Sequence, residues 1–305
     1  MTKKTQVTKI LNDISFQLKE LEDFSFLDQY GKVFKVFDQN DSGNISFGVE
    51  NDHGNRYFIK VAGAKTVEYD GDYAKAVKTL KRTTDIYKDL RHETLIDIIE
   101  AKEYKHLFYV VFRWSEGECL YDHWNFDYYQ THPEIDSPKE KFYKLTIEEK
   151  LLVADKVLEF LSYVEMKGYV PVDFYDGSLM YNFENNRLII CDIDLFEKSP
   201  NINQVGKDYW GTKRMKAPEE YQLNAVIDSK TTVFTIGSLF FNLFGRYSKE
   251  VLNEIYSKSQ FIPIDREDWT LPEELYEIAS TAVNQNRLNR YASVEVLAKK
   301  WSKAL

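Results

Sequence analysis

Four aspartates fall within the stretch from Gly168 to Phe196, which reads GYVPVDFYDGSLMYNFENNRLIICDIDLF. Asp173 follows a short apolar step, Val170-Pro171-Val172, and Asp192 and Asp194 sit in the exit of the run Leu188-Ile189-Ile190. Between them, Leu179-Met180-Tyr181 and Leu188-Ile189-Ile190 flank a polar stretch from Asn182 to Asn186, the pattern of a tight hairpin. Carboxylates at the ends of short buried strands have two readings. In one, each Asp bonds its own backbone and caps a loop. In the other they form a metal site beside a catalytic base, since Mg²⁺ takes hard oxygen ligands, one or two carboxylates plus substrate phosphates. The stretch alone leaves both open.

The elements that must position these side chains change character along the chain. Residues 5–22 place Val7, Ile10, Leu11, Ile14, Leu18 and Leu21 at helical spacing, which predicts an amphipathic helix docked on the body of the protein. From residue 31 the period becomes two. Strands are expected at Val33–Phe37, Asn44–Glu50 and Arg56–Ala62, with turns at Gln39–Gly43 and Asn51–Asn55. The third strand carries Lys60 among apolar residues, either pointing to solvent or held for an anionic ligand. A helix over 72–91, strands at Leu95–Ile99 and Leu107–Phe112, and a Gly-containing linker, Arg113-Trp114-Ser115-Glu116-Gly117, follow.

The second half reads as mainly helical. Residues 121–145 predict a short helix and an extended loop, and Thr146-Ile147-Glu148-Glu149 is a capping box opening a long helix that Gly168 ends. Further helices are expected at about 229–245, 249–258, 272–284 and 293–303, the last N-capped by Ser293. The resulting division is an N-terminal helical extension (1–30), a β-rich part (31–115) and a mainly helical part (116–305), an α+β chain.

Composition narrows the partners. With 305 residues, 43% hydrophobic, 29% charged and 15% aromatic, the chain is long enough for one large domain or two lobes. A formal net charge of −9 argues against general affinity for nucleic acid or anionic membranes. Cys119 and Cys191 are too few for a disulfide framework, and His53, His92, His106, His123 and His132 show no metal-ligand spacing. The start, MTKKTQVTK, lacks the apolar core of a signal peptide, and the longest apolar run, Val233 to Phe244, is too short to span a bilayer. A soluble cytoplasmic protein is expected.

The order of parts, a β-rich half with a strand lysine followed by a helical half bearing Asp173 and Asp192, resembles the eukaryotic-like protein kinases from about residue 31 to 303. Tyr57-Phe58-Ile59-Lys60 resembles the V-A-I-K strand, Leu90-Arg91-His92 the segment after the regulatory helix, and Val110-Val111-Phe112-Arg113-Trp114 the gatekeeper and hinge. Asp173 falls at the H-R-D aspartate and Asp192 at the D-F-G aspartate. Gly211-Thr212-Lys213-Arg214-Met215-Lys216-Ala217-Pro218-Glu219 is very similar to the G-T-x-x-Y-M-A-P-E run, whose glutamate pairs with a late arginine, here Arg290. The resemblance implies a bilobal fold that binds ATP with Mg²⁺ or Mn²⁺ and phosphorylates a protein hydroxyl. Lys60, Gly43, Phe112, Arg113 and Trp114 would contact nucleotide, Asp173 the attacking hydroxyl, and Asp192 the metal.

The chain departs from that pattern in several places. The glycine-rich loop is reduced to Ser42-Gly43-Asn44, with Gly48 further along. Thr83 stands where the regulatory-helix glutamate is expected, Pro171 and Val172 replace the histidine and arginine of H-R-D, and Thr232 replaces the aspartate of the large apolar helix. Ser178 holds the place of the metal-binding asparagine, and Asp194 that of the D-F-G glycine. Asp192 and Asp194 would then share the metal with help from Ser178, with Asp176 as another ligand candidate or a turn residue. Three functions follow: a divergent Ser/Thr protein kinase, a pseudokinase acting as a binding or scaffold module, and a small-molecule phosphotransferase, which the A-P-E run opposes.

Overall fold

Val7–Leu11 (β1) and Ile14–Leu18 (β2) form an antiparallel hairpin in the computed structural model, which describes residues 6–38, 42–122 and 125–305. The helix expected over 5–22 is therefore corrected. Asn12 and Asp13 both adopt positive φ, 45° and 69°, as a two-residue turn matched to strand twist requires. Phe16 and Leu18 are buried at 3% and 0% exposure while Gln17 between them is not, so burial here follows period two. Residues 39–41 of the expected turn, and His123, lie outside the described residues.

The described chain is mixed α+β, with eight α-helices and antiparallel sheets, and clusters into two compact units: Met1–Arg91 with Ile96–Glu116, and His92–Leu95 with Gly117–Leu305. In the first unit, Lys32–Phe37 (β3), Asn44–Glu50 (β4), Arg56–Ala62 (β5), Tyr73–Asp89 (α1), Ile98–Tyr104 (β6) and Leu107–Arg113 (β7) build a sheet of order β3-β4-β5-β7-β6. One face carries Ile45, Phe47, Val49, Ile59, Val61, Tyr109 and Val111. It is covered by Phe16 and Leu18 of the hairpin and by Phe24, Phe26 and Leu27. Each such side chain contributes roughly 1.5–3 kcal/mol on burial. The alternate residues, among them Phe58, Lys60 and Phe112, share the face on which α1 packs; Tyr87 of α1 meets Phe112 at 4.9 Å between ring centroids.

One strand begins three residues later than its apolar pattern predicts. Leu95 bridges Ile190 of the second unit instead, and the Thr94 carbonyl accepts from the Ile190 amide at 2.6 Å. The β6–β7 connection turns at Lys105, φ 55°.

In the second unit Glu118–Cys119 (β8), Phe126–Thr131 (α2), Pro138–Tyr143 (α3), Ile147–Met166 (α4), Tyr169–Val170 (β9), Leu179–Asn182 (β10), Arg187–Ile190 (β11), Glu197–Lys198 (β12), Asn201–Ile202 (β13) and Val226–Ile227 (β14) precede four helices. These are Ser229–Phe244 (α5), Lys249–Lys258 (α6), Glu273–Ala282 (α7) and Val294–Lys303 (α8). The Thr146–Glu149 capping box is present at α4, and Gly168 leaves that helix at φ 72°. From Thr231 to Phe244 α5 is buried all round, against α4, α7 and α8. No helix among the described residues is long and apolar enough to cross a membrane.

Candidate functional site

In the second unit the expected hairpin forms: β10 pairs with β11, Leu179 opposite Ile190. The Cys191 amide donates to the Ser178 carbonyl at 2.9 Å, so the residue before Asp192 is tied to the root of the hairpin. Ser178 is fully buried, its amide donating to the Tyr175 carbonyl and its hydroxyl oxygen 3.5 Å from the Tyr175 amide. Its burial places it at the root of the hairpin that leads to Asp192.

Asp173 and Asp192 both sit in left-handed backbone, at φ 57° and 53°. Asp is among the few residues that tolerate this region. Each lies at the end of an apolar anchor: Val170 and Val172 pack with Tyr209 and Ile227 before Asp173, and Ile190 and Ile193 are buried on either side of Asp192. The apolar residues sink inward and the carboxylates are left at the turn. Asp192 is exposed and Asp194 is half-buried, in a turn closed by the Phe196 amide on the Ile193 carbonyl.

Burial pushes the Asp173 carboxyl up to about 7, and the nearby Asp192 charge adds to the rise. A hydrogen bond from the Thr212 amide, with the Lys216 and Arg214 charges, opposes it. The fold thus brings Asp173, Asp192 and the Gly211–Lys216 segment together. A group near neutral pKa is suited to accept a proton at physiological pH. The oxygen-only donors Asp192 and Asp194 suit a hard cation that completes its shell from phosphate and water. Among the described residues no three metal-ligating side chains gather in one place.

Asp176 is held by two side chains of the second unit. It is buried at 1% exposure, takes an ion pair from Arg214 on one oxygen, and accepts from Asn242 Nδ2 at 2.6 Å on the other. Arg214 in turn lies over the Tyr121 ring, 4.3 Å from its centroid, and Lys139 donates to Asn242 Oδ1 at 3.2 Å. Arg214 and Asn242 stand outside the expected site residues. The signal was present: a polar residue inside the apolar run of α5, and a basic cluster in Gly211–Lys216. Lys216 donates to the Tyr209 carbonyl at 2.6 Å and sits 4.3 Å from the Tyr221 ring, which ties the segment carrying Thr212.

Glu219 and Arg290 pair as expected, with two parallel bonds of 2.7 and 3.0 Å, both side chains buried. The guanidinium fork holds the Glu219 carboxyl below its usual range against the opposing effect of burial.

In the first unit Lys60 is half-buried at the centre of the sheet, paired across the strands with Ser46 and Val110. Phe58 shares its face, with Phe37 at 5.6 Å and Phe112 at 6.2 Å. Phe112 is buried, whereas Arg113 is exposed and ion-paired with Asp97 at 3.4 Å. Trp114 packs edge-on against Phe34 at 4.9 Å, and its indole donates to Glu116 at 3.0 Å. Arg113 and Trp114 also line a groove of about 610 Å³ with Glu50, Arg56, Tyr57 and Ile99. Gly43 is buried at φ 79°, and a Cβ there would lie 2.7 Å from the Tyr69 ring. Thr83 is buried in α1, its hydroxyl on the Thr79 carbonyl at 2.9 Å. No protein-family model matches the chain.

Proposed function

We propose that this chain is a divergent protein-kinase-like phosphotransferase of bilobal arrangement, which moves the γ-phosphate of ATP to a protein hydroxyl with Mg²⁺. The observation that carries this reading is the placement of Asp173 at a left-handed turn, with the Thr212 amide on its carboxyl and the Asp192 charge nearby. Asp173 would accept the proton of the attacking hydroxyl, and its pKa matches that task. Asp192 and Asp194 would hold Mg²⁺, which supplies charge neutralisation on the phosphate oxygens. Lys60 would take nucleotide phosphates, with Phe112, Arg113 and Trp114 toward the base. Phosphoryl transfer asks for positioning and electrostatics more than covalent chemistry, and these residue types provide both. The buried Glu219–Arg290 pair supports the protein-kinase branch, because it holds the Ala217-Pro218-Glu219 end of the segment that Thr212 begins.

A second reading, a nucleotide-binding scaffold without transfer, is favoured by one observation. Tyr69 occupies the space beside Gly43. The deciding experiment is incorporation of labelled γ-phosphate from ATP with Mg²⁺ or Mn²⁺, into the chain itself and into a generic protein substrate. Asp173→Asn and Asp192→Asn run beside the wild type. Transfer that falls by about 10²–10⁴-fold in Asp173→Asn supports the enzyme. No transfer, with ATP still raising the Tm, selects the scaffold. Absence of both effects removes nucleotide from the account.

A further inference from the structure

The connection from β5 to α1 is stitched to the N-terminal hairpin and carries one aromatic ring into a narrow slot. The Lys19 amide donates to the Lys65 carbonyl at 2.8 Å, and Thr66 bridges Leu18. Lys19 Nζ donates to Asp70 Oδ1 at 2.8 Å, to the Tyr73 hydroxyl at 3.2 Å and to the Tyr69 carbonyl. The Tyr69 ring is flanked by two glycines. A Cβ on Gly43 would come within 2.7 Å of it, and one on Gly71 within 2.4 Å. Tyr73 closes the edge at 5.2 Å, and the Tyr69 hydroxyl donates to the Asp72 carbonyl at 3.1 Å. Any side chain at position 43 or 71 would expel the ring, so both glycines leave room for Tyr69.

We propose that Tyr69 is a plug over the Ser42–Gly43 turn, latched by Lys19, and that residues 66–72 must swing outward before a nucleotide triphosphate can reach the main chain there. The inference rests on the nucleotide-binding reading above and adds its regulation. An anion approaching backbone amides at Gly43 needs a bare face, and the ring covers one. The latch is light: Asp70 is 69% exposed, and ion pairs with such exposed partners contribute little. The ring's hold is mainly contact with two glycines and Tyr73. A light latch over a tight slot yields a minor open population, and nucleotide affinity is reduced by that fraction.

The test measures Mg²⁺–ATP affinity calorimetrically for wild type, Tyr69→Ala, Tyr69→Phe and Lys19→Met. It also follows amide hydrogen exchange over residues 66–72 with and without Mg²⁺–ATP. Tyr69→Ala is expected to bind about three- to tenfold more tightly and Lys19→Met to gain less, because the plug-out state no longer competes with a latched one. Tyr69→Phe keeps the ring and stays near wild type. Added nucleotide speeds exchange over 66–72 in the wild type, a readout that survives if Tyr69→Ala folds poorly. Wild-type binding with no gain in Tyr69→Ala and no change in exchange overturns the plug and leaves the nucleotide reading standing. No binding by the wild type or any variant overturns both.

Discussion

Lys60 and Asp173 are held by opposite kinds of backbone. Lys60 lies in the middle strand of a five-stranded sheet, in regular register with Ser46 on one side and Val110 on the other. Asp173 and Asp192 both stand at left-handed turns, Asp173 directly after the buried Val172. A sheet sets which face a side chain takes through its period of two, and any residue of the right type can stand there. A left-handed turn sets direction by a conformation few residues tolerate, so chemistry and geometry select the residue together. The strand-borne position is robust to change of side chain, and the turn-borne positions are sensitive to it.

The contrast can be broken most severely at the buried pair that secures the second unit. Arg290→Met leaves Glu219 charged and unpaired in the interior, and removing one partner of such a pair costs about 3–5 kcal/mol. Thermal unfolding should show a large fall in Tm. A loss within experimental scatter would mean that the pair adds nothing to this unit.

Asp173→Asn tests the electrostatic half of the turn argument. The folded carboxyl is raised above its ordinary value to about 7, so the fold prefers the protonated form. That preference is fully expressed at low pH, and stability declines as pH rises from the ordinary carboxyl pKa through about 7. The neutral amide escapes the decline. Its Tm should exceed that of the wild type at pH ~8 and the gap should close toward pH ~4. A gap of constant size across the range would show that burial does not perturb this group.

Asp192→Val against Asp192→Asn isolates the backbone. Both remove the charge, but only valine resists positive φ, so the valine variant should be less stable by about 1–2 kcal/mol in denaturant titration. An exchange at Lys60, such as Lys60→Met, should change stability less than Asp192→Val, since no special φ is required there. The smallest effect is expected in the N-terminal hairpin. Asp13→Gly makes the Asn-Gly turn preferred for φ > 0 and should raise stability slightly. A loss there would argue that Asp13 holds the turn through its side chain.

How legible the fold was depended on range. β4 and β5 match their expected bounds, and α1 starts one residue later and ends two residues earlier than expected, because alternation and helical spacing are local signals. The Ser293 N-cap and the Thr146–Glu149 box also hold. The N-terminal hairpin differs from the expected helix because Val7, Ile10, Leu11, Ile14 and Leu18 satisfy helical spacing, while Val7-Lys9-Leu11 and Ile14-Phe16-Leu18 in the same stretch alternate. Two periods fitted one segment, and the sheet face that needed covering chose between them.

Local chemistry therefore settled most helices, their caps, the β10–β11 hairpin and the aspartate-bearing turns, since the energies involved act between residues a few positions apart. The roles of the charged residues were decided elsewhere. Asp176 became a buried counter-ion only because Arg214, 38 positions on, and Asn242, 66 positions on, converge upon it. Gly43 became a seat for Tyr69 because a connection from another strand packs there. A carboxylate has the same chemistry everywhere in a sequence; whether it is solvated, paired or raised toward neutral pKa is set by burial and by distant charges, which only the packed chain brings together.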